Sequence, residues 1–356
     1  MRAINATNQL LTSQERNTMR KWVLEPGKSG QDALVMKEAP VPDPGPGQVR
    51  VAVKAAALNY RDQIILNGHY GQGVEEETIP VADGSGVIDA VGAGVECWAV
   101  GDRVISVYFR DWVDGPPPTD RLGFGLGSPG ENGVLAEYVV LDANRVTRMP
   151  QSLDFVHAST LVCAGLTAWT ALTEEHPVTA GQKILTLGTG GVSLFALQLA
   201  RAFGAEVIAT TSQQTKEGQL RQLGTVDVLN YRTTPTWGEN IYASTGGMDK
   251  VVNPVGGDAM TQSIMAVGAG GEIAVMGLFS AGDAPLPLPV LMSKGASIRG
   301  IAVGSSKALV QLVDFIDQHG ITPVVQKTFA LKDAKAAYTA QASRDVFGKI
   351  VIDMTA

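Results

Sequence analysis

Cysteine is almost absent from this chain of 356 residues, which has only Cys97 and Cys163. Two thiols exclude a disulfide scaffold and a four-cysteine zinc lobe. Charge is scarce too, at 18% of residues against the ~25% of ordinary globular chains. No long block of one sign occurs, and the net charge is −7 with a pI near 5.2. Binding of phosphate backbones needs clustered Lys and Arg, so the composition argues against a nucleic-acid partner. Apolar runs of about 18 residues are missing, so no membrane span is expected. An apolar stretch ahead of a small-residue cleavage site is missing as well, which leaves the cytosol as the expected compartment. What is plentiful is glycine, with 41 residues, and apolar side chains, at 45%. That is enough for a core and argues against disorder. A prior of roughly 150 residues per domain gives about two domains.

Residues 1–18 are polar and aperiodic, and read as an N-terminal extension outside the fold. From Trp22 to Val140 the pattern is β-rich. Val49, Val51 and Val53 alternate with Arg50, Ala52 and Lys54, the period-two mark of a half-buried strand. Further strands are expected at 86–91, 102–107 and 135–140, and the Pro- and Gly-rich residues 111–133 read as a long surface loop. Near Gln182 the pattern changes. A short apolar strand at 183–187 is followed by a glycine turn, a helix carrying Val192, Phe195, Ala196, Leu199 and Phe203, and a strand at 206–210. That is a βαβ unit. Alternation continues with strands at 227–229, 249–253 and 272–277, and with helices over 219–223, from Asp258 and over 305–318. It implies a parallel sheet covered by helices on both faces. A helix at 332–341 and a strand at 349–352 are expected to return to the first domain.

The turn reads Gly188-Thr189-Gly190-Gly191-Val192-Ser193. Glycines there let a backbone approach a pyrophosphate, and the helix start offers free N–H groups. Gly188, Gly190, Gly191 and Val192 are therefore cofactor-binding candidates. Ser193 stands where a third glycine is usual, at a position that needs only a small residue. An NAD site wants an acid at the end of the second strand, but no Asp or Glu occurs there before Glu217. Ser212 can donate to a 2′-phosphate, Lys216 can supply charge, and Tyr231 can close the pocket, so NADPH is favoured over NADH. Lys216 as an ordinary solvated helix residue is the alternative. Gly277-Leu278-Phe279 ends a parallel strand, where open α/β sheets bind ligands, and is expected near the nicotinamide. Residues 295–303, beyond a Pro-rich stretch, read as an exposed edge strand.

With these residues in hand, the chain resembles the medium-chain dehydrogenase/reductase superfamily over about residues 19–352. The resemblance is carried by Leu58-Asn59-Tyr60-Arg61-Asp62, Asp83-Gly84-Ser85-Gly86-Val87 and Gly101-Asp102-Arg103-Val104. It continues in Gly133-Val134-Leu135-Ala136-Glu137-Tyr138, Gly165-Leu166-Thr167-Ala168, the glycine turn and Gly348-Lys349-Ile350-Val351. It implies an α/β enzyme: a Rossmann doubly wound parallel sheet over 166–309, plus a GroES-like β-barrel catalytic domain over 19–165 and 310–356, with the active site in the cleft between them. Thr167 and Lys349 would then contact the cofactor, although a solvent-facing Lys349 stays open. Relatives often dimerise through the edge strand, which implies a homodimer.

Zinc-dependent alcohol dehydrogenases of that superfamily place Cys at the slot of Asn59, His-Glu at Ala82-Asp83, and a third ligand at Cys163. One thiolate cannot hold a catalytic zinc, which needs about three protein ligands. The chain thus resembles the zinc-free quinone oxidoreductases and enone reductases, with Cys163 a small buried hydrophobe. The alcohol proton-relay position falls on Arg61, a further departure from alcohol oxidation. The catalytic candidates are Asn59 and Tyr60, as donors to the oxygen on which hydride transfer builds charge. Their bland alternatives are backbone satisfaction in a turn and core packing. Asp62 is expected to accept backbone N–H bonds, and His69 to be a solvated loop residue. The expected function is NADPH-dependent hydride delivery, without zinc, to a quinone, enone or related small-molecule carbonyl. A zinc-free alcohol dehydrogenase-like enzyme or a non-catalytic dinucleotide-binding protein are the alternatives.

Overall fold

The computed structural model describes residues 18–71, 73–120, 122–277, 285–343 and 345–356. Of the expected extension, residues 1–18, the first 17 lie outside them, and Thr18 instead opens the first strand. The chain forms two compact units. Unit 1 holds residues 18–162, 327–343 and 350–356, and unit 2 holds 163–326 and 345–349. Residues 310–326 thus cluster with the parallel sheet, not with the first unit as the resemblance implies.

Unit 1 begins with a hairpin of β1 (Thr18–Leu24) and β2 (Leu34–Pro40), paired antiparallel. There follow β3 (Gln48–Leu58), α1 (Tyr60–Leu66), β4 (Asp83–Val91), β5 (Arg103–Ser106), β6 (Tyr138–Asp142), β7 (Val146–Arg148) and α2 (Phe155–Ser159). β3 buries Val49, Val51 and Val53 and leaves Arg50, Ala52 and Lys54 half-buried, as its alternation requires. It pairs antiparallel with β4 and, on its other edge, with β6. The alternation at 134–136 belongs elsewhere: Trp22 N–H donates to Leu135 O at 2.9 Å beside a bridge between Lys21 and Ala136, and β6 starts three residues later than expected at 135. The strand path ends at β7, and no ladder among the described residues closes it into a barrel.

Residues 111–133 are a surface loop only in part. Trp112, Leu126 and Ser128 are buried. The physical reason is Arg61. Its guanidinium donates to Leu126 O (2.7 Å) and Phe124 O (3.3 Å) and lies 5.2 Å and 4.8 Å from the ring centres of Tyr70 and Tyr108. A planar cation with five donors satisfies loop carbonyls while its faces stack on aromatics.

Unit 2 begins with α3 (Leu166–Thr173) and then alternates: β8 (Lys183–Leu187), α4 (Gly191–Ala202), β9 (Glu206–Thr211), α5 (Glu217–Gln222), β10 (Asp227–Asn230), α6 (Trp237–Thr245), β11 (Met248–Asn253), α7 (Ala259–Ala266), β12 (Val267–Val275), α8 (Leu288–Lys294), β13 (Ser297–Gly300) and α9 (Ser306–His319). Within the sheet the order is β10-β9-β8-β11-β12-β13, all parallel. The direction of winding reverses beside β8, the point at which doubly wound sheets bind ligands outside the carboxyl ends of their strands. Helix α4 buries Leu194, Phe195, Leu197 and Leu199, each contributing roughly 1.5–3 kcal/mol. Helix α8 forms at the end of the Pro-rich stretch, for which no helix was expected, because its proline falls in the first turn, where no N–H is missed. β13 is an edge strand, as expected.

A buried ionic cluster crosses three neighbouring strands. Lys250 on β11 meets Glu272 on β12 at 2.9 Å, and Arg299 on β13 meets the same carboxylate at 3.1 Å. Lys250 Nζ also donates to Ala171 O and His176 O. Burial lowers the Lys250 pKa, and Glu272 opposes that shift.

The chain closes with β14 (Val325–Ala330), α10 (Ala334–Ala342) and β15 (Lys349–Asp353). Residues 350–353 pair antiparallel with β3 in unit 1, whereas 345–349 cross to unit 2.

Candidate functional site

The glycine turn follows β8 directly. Gly188 takes φ +80°, a conformation that side chains resist, and its N–H donates to Thr210 O at 3.1 Å. Gly190 is the N-cap of α4 and has no side chain to cap the helix, so first-turn N–H groups are left to a ligand. A Cβ at Gly190 would meet nothing within 4 Å, whereas one at Gly191 would strike Lys349 Cδ at 2.7 Å. Ser193 Oγ donates to Leu187 O at 2.7 Å, so the serine that replaces the third glycine clasps helix to strand. Val192 follows on the first turn, half-buried. An open, uncapped glycine turn at a sheet's winding reversal fits a dinucleotide's pyrophosphate.

A strap of residues 345–349 lies against this turn. Gly348 N–H donates to Thr189 O at 2.9 Å, and Gly348 forms a parallel bridge with Gly190. Thr189 Oγ1 donates to Val346 O at 3.1 Å. Lys349 is buried, which overturns the solvent-facing alternative. Lys216 is also buried, not solvated, and its Nζ donates to Thr189 Oγ1 (3.3 Å) and Val346 O (3.1 Å). Burial lowers its pKa, and Asp345 opposes this.

Ser212 and Tyr231 come together at the ends of neighbouring strands, where Tyr231 N–H donates to Thr211 O at 3.0 Å. Ser212 is half-buried and Tyr231 exposed. Thr167 is buried in α3. Gly277 lies two residues beyond β12 and backs onto Pro254, whose carbonyl oxygen a Cβ would meet at 1.5 Å. Leu278 and Phe279 fall outside the described residues. Asn253, which sequence reasoning missed, ends β11, and its Oδ1 accepts the N–H groups of Val255 and Gly256 at 2.9 Å. Its Nδ2 donates to Ser263 Oγ at 3.1 Å, and no local motif marks a side chain divided between a backbone turn and the next helix.

In unit 1, Asn59 is the N-cap of α1 and forms a capping box with Asp62, whose Oδ2 accepts the Asn59 N–H at 2.7 Å. Asp62 thus accepts a backbone N–H, as expected, and the Asn59 side chain accepts one at the start of α1, an arrangement worth about 1 kcal/mol. Tyr60, on the first turn, is 36% exposed, so core packing is not its role. His69 is exposed, in the turn after α1. Cys163 is only half-buried, in a π-helical turn over Leu161–Gly165, and is not the enclosed hydrophobe expected.

Residues 45–151 match the family model of the alcohol dehydrogenase GroES-like domain, and residues 191–318 match that of the zinc-binding dehydrogenase. A zinc-type alcohol dehydrogenase-like protein of Schizosaccharomyces pombe is 37% identical over 342 residues, spanning 93% of this chain and 98% of its own. The chain belongs to the medium-chain dehydrogenase/reductase superfamily. Two solved relatives agree with that membership. A putative alcohol dehydrogenase from Sinorhizobium meliloti 1021 superposes with a TM-score of 0.89 at 38% identity, covering 95% of this chain and 99% of that one. An NAD-dependent alcohol dehydrogenase superposes with a TM-score of 0.86 at 33% identity, covering 94% and 100%. This medium-chain dehydrogenase/reductase is an NAD(P)-dependent oxidoreductase of alcohol dehydrogenase-like type.

One of the two matching families is that of the zinc-binding dehydrogenases, whose metal requires a set of ligand side chains. The Asn59 slot carries an amide engaged in a capping box, and the Ala82 slot carries a methyl group. Neither is a zinc ligand. Among the described residues, no group of three or more His, Cys, Asp or Glu is arranged to hold a metal ion. The described residues at these positions do not supply the ligands that a catalytic zinc takes. No helix among the described residues is long and apolar enough to cross a membrane.

Proposed function

We propose that this chain is a zinc-independent, NADPH-dependent reductase of quinones, enones or related carbonyls. The observation that carries the reading is the replacement of zinc-ligand types by Asn59 and Ala82. Bound NADPH would supply the hydride. Gly188, Gly190, Gly191 and Val192 would receive its pyrophosphate, with Lys349 beside the turn and Thr167 and Gly277 toward the nicotinamide. Ser212 and Tyr231 would receive the 2′-phosphate, which suits a strand end without an acid. Hydride arrival builds negative charge on the substrate oxygen. The Asn59 amide and the Tyr60 hydroxyl are the proposed donors to it. A second reading, an alcohol dehydrogenase-like enzyme without zinc, is favoured by the relative at 33% identity, which is an NAD-dependent alcohol dehydrogenase.

Purified protein is expected to oxidise NADPH with members of a quinone and enone panel and to contain well under one zinc per chain. Turnover only of alcohols with NAD(P) would favour the second reading, and stoichiometric zinc would remove the first.

A second copy of the chain is the proposed partner, against β13. Leu288, Met292 and Ile298 are exposed there, at 52%, 77% and 38%. Light scattering is expected to give twice 37.4 kDa, and Ile298→Lys to shift the protein toward the monomer. A wild-type monomer would discard the interface.

A further inference from the structure

We infer that Lys216 is a positioning residue for the pyrophosphate turn and not a reader of the 2′-phosphate. The inference rests on the proposed dinucleotide site and assigns one of its charges. Lys216 ends a short 3-10 turn, Gln214–Lys216, just after β9. Its side chain does not run out from the strand end toward solvent. It turns inward, where Nζ contacts Thr189 Oγ1 at 3.3 Å and Val346 O at 3.1 Å. Thr189 Oγ1 in turn donates to Val346 O at 3.1 Å, so ammonium, hydroxyl and carbonyl form a closed three-membered set. The chemistry is consistent: a hydroxyl has one donor and two acceptor lone pairs, and an ammonium only donates.

Each member of the set belongs to a different segment. Thr189 is in the glycine turn, Val346 in the strap, and Lys216 in the loop beyond the second strand. Further bonds align the strap on the same turn. Gly348 N–H donates to Thr189 O, and Gln213 Nε2 donates to Asp345 Oδ1 at 2.6 Å. Gln326 Oε1 accepts the Phe347 N–H at 2.9 Å. A cleft of about 760 Å³ runs along this assembly, lined by Gln213, Lys216, Gln219, Gln326, Asp345 and Phe347.

A buried ammonium is costly unless it is held by acceptors. Here the acceptors fix the path of the turn that presents N–H groups to a pyrophosphate. The fixed positive charge adds to that of the α4 N-terminus. Both effects act on every ligand with a pyrophosphate, whether or not its ribose carries a 2′-phosphate. Coenzyme discrimination then falls to Ser212 and Tyr231, at the ends of β9 and β10.

The test is isothermal titration of the full chain with NADPH, NADH, ADP-ribose and adenosine 2′,5′-bisphosphate. The last has the 2′-phosphate and no pyrophosphate. Lys216→Met is expected to weaken the first three by about tenfold each, with the NADPH to NADH ratio unchanged within about twofold. The bisphosphate should lose least. Lys216→Arg should recover most of the loss. Thr189→Val removes the acceptor, keeps the charge and should reproduce the pattern, which covers the case of a poorly folded Lys216→Met. Weakening of NADPH and the bisphosphate alone would overturn the inference. So would affinities unchanged in both variants. Wild-type protein that binds NADH as tightly as NADPH would sink the coenzyme preference and leave the inference standing. Wild-type protein that binds none of the four ligands would end both.

Discussion

Glu272→Ala is expected to lower folding stability by about 3–5 kcal/mol, the usual cost of removing one partner from a buried ion pair. Both Glu272 and Lys250 side chains are 3% exposed, so water cannot replace what is lost. The substitution leaves Lys250 and Arg299 facing each other across a carboxylate-sized void. Lys250 keeps Ala171 O and His176 O, but loses the one interaction that opposes the pKa-lowering effect of burial. Calorimetry should show a Tm roughly 10 °C lower, given about 2–4 °C per kcal/mol for units of this size. A loss under about 1 kcal/mol would mean that the cluster is hydrated or relaxes freely. The surface pair of Arg221 and Asp227, with side chains 51% and 64% exposed, is the internal contrast. Its removal should scarcely register, because solvent screens it.

Gly190→Ala is expected to separate folding from function. The residue has φ −76° and ψ 174°, which alanine adopts without strain, and the added methyl meets nothing within 4 Å. Melting temperature should therefore hold or rise slightly. The same methyl projects over the turn proposed to receive the pyrophosphate, at the mouth of the uncapped helix. NADPH affinity should fall by at least about 100-fold, or about 2.7 kcal/mol. Titration calorimetry beside a thermal melt reads both quantities. Unimpaired NADPH binding would place the pyrophosphate elsewhere. Gly191 is a poorer probe, because its Cβ would press on Lys349 and mix packing with binding.

What the sequence disclosed follows the range of the interactions involved. β8, the glycine turn, α4 and β9 are contiguous, and their period-two and period-3.6 patterns could be read directly. The edge position of β13 was legible for the same reason. The antiparallel unit was less so. β3 pairs with residues 350–353, near the far end of the chain, and no local pattern announces a partner that distant. The β1–β2 hairpin and helix α6 went unread, and α8 was hidden by a proline in its first turn.

Within the candidate site the residue types were visible and their partners were not. Lys216 was singled out as a cation near the coenzyme, but its direction depends on Thr189 and on a strap 130 residues away at Val346. Arg61 stood out only as a departure from alcohol dehydrogenases. That its guanidinium, near two aromatic rings, holds the carbonyls of Phe124 and Leu126 needed coordinates. The Asn59–Asp62 capping box was half-legible, because a residue and its partner three places on are a known helix-start signature.

The strap also bears on the order of events as the chain is made. Every strand of the parallel sheet is encoded by residue 300, so that sheet can assemble early as the chain emerges N-terminus first. The phosphate turn is part of it, yet the partners of Thr189 and Lys216 are encoded only at residues 346 and 348. A nascent or truncated chain ending before them has the sheet and lacks the clamp. On the proposed reading, coenzyme retention would then require residues 345–349 as well as the sheet, so that the strap acts as a seal on the phosphate turn.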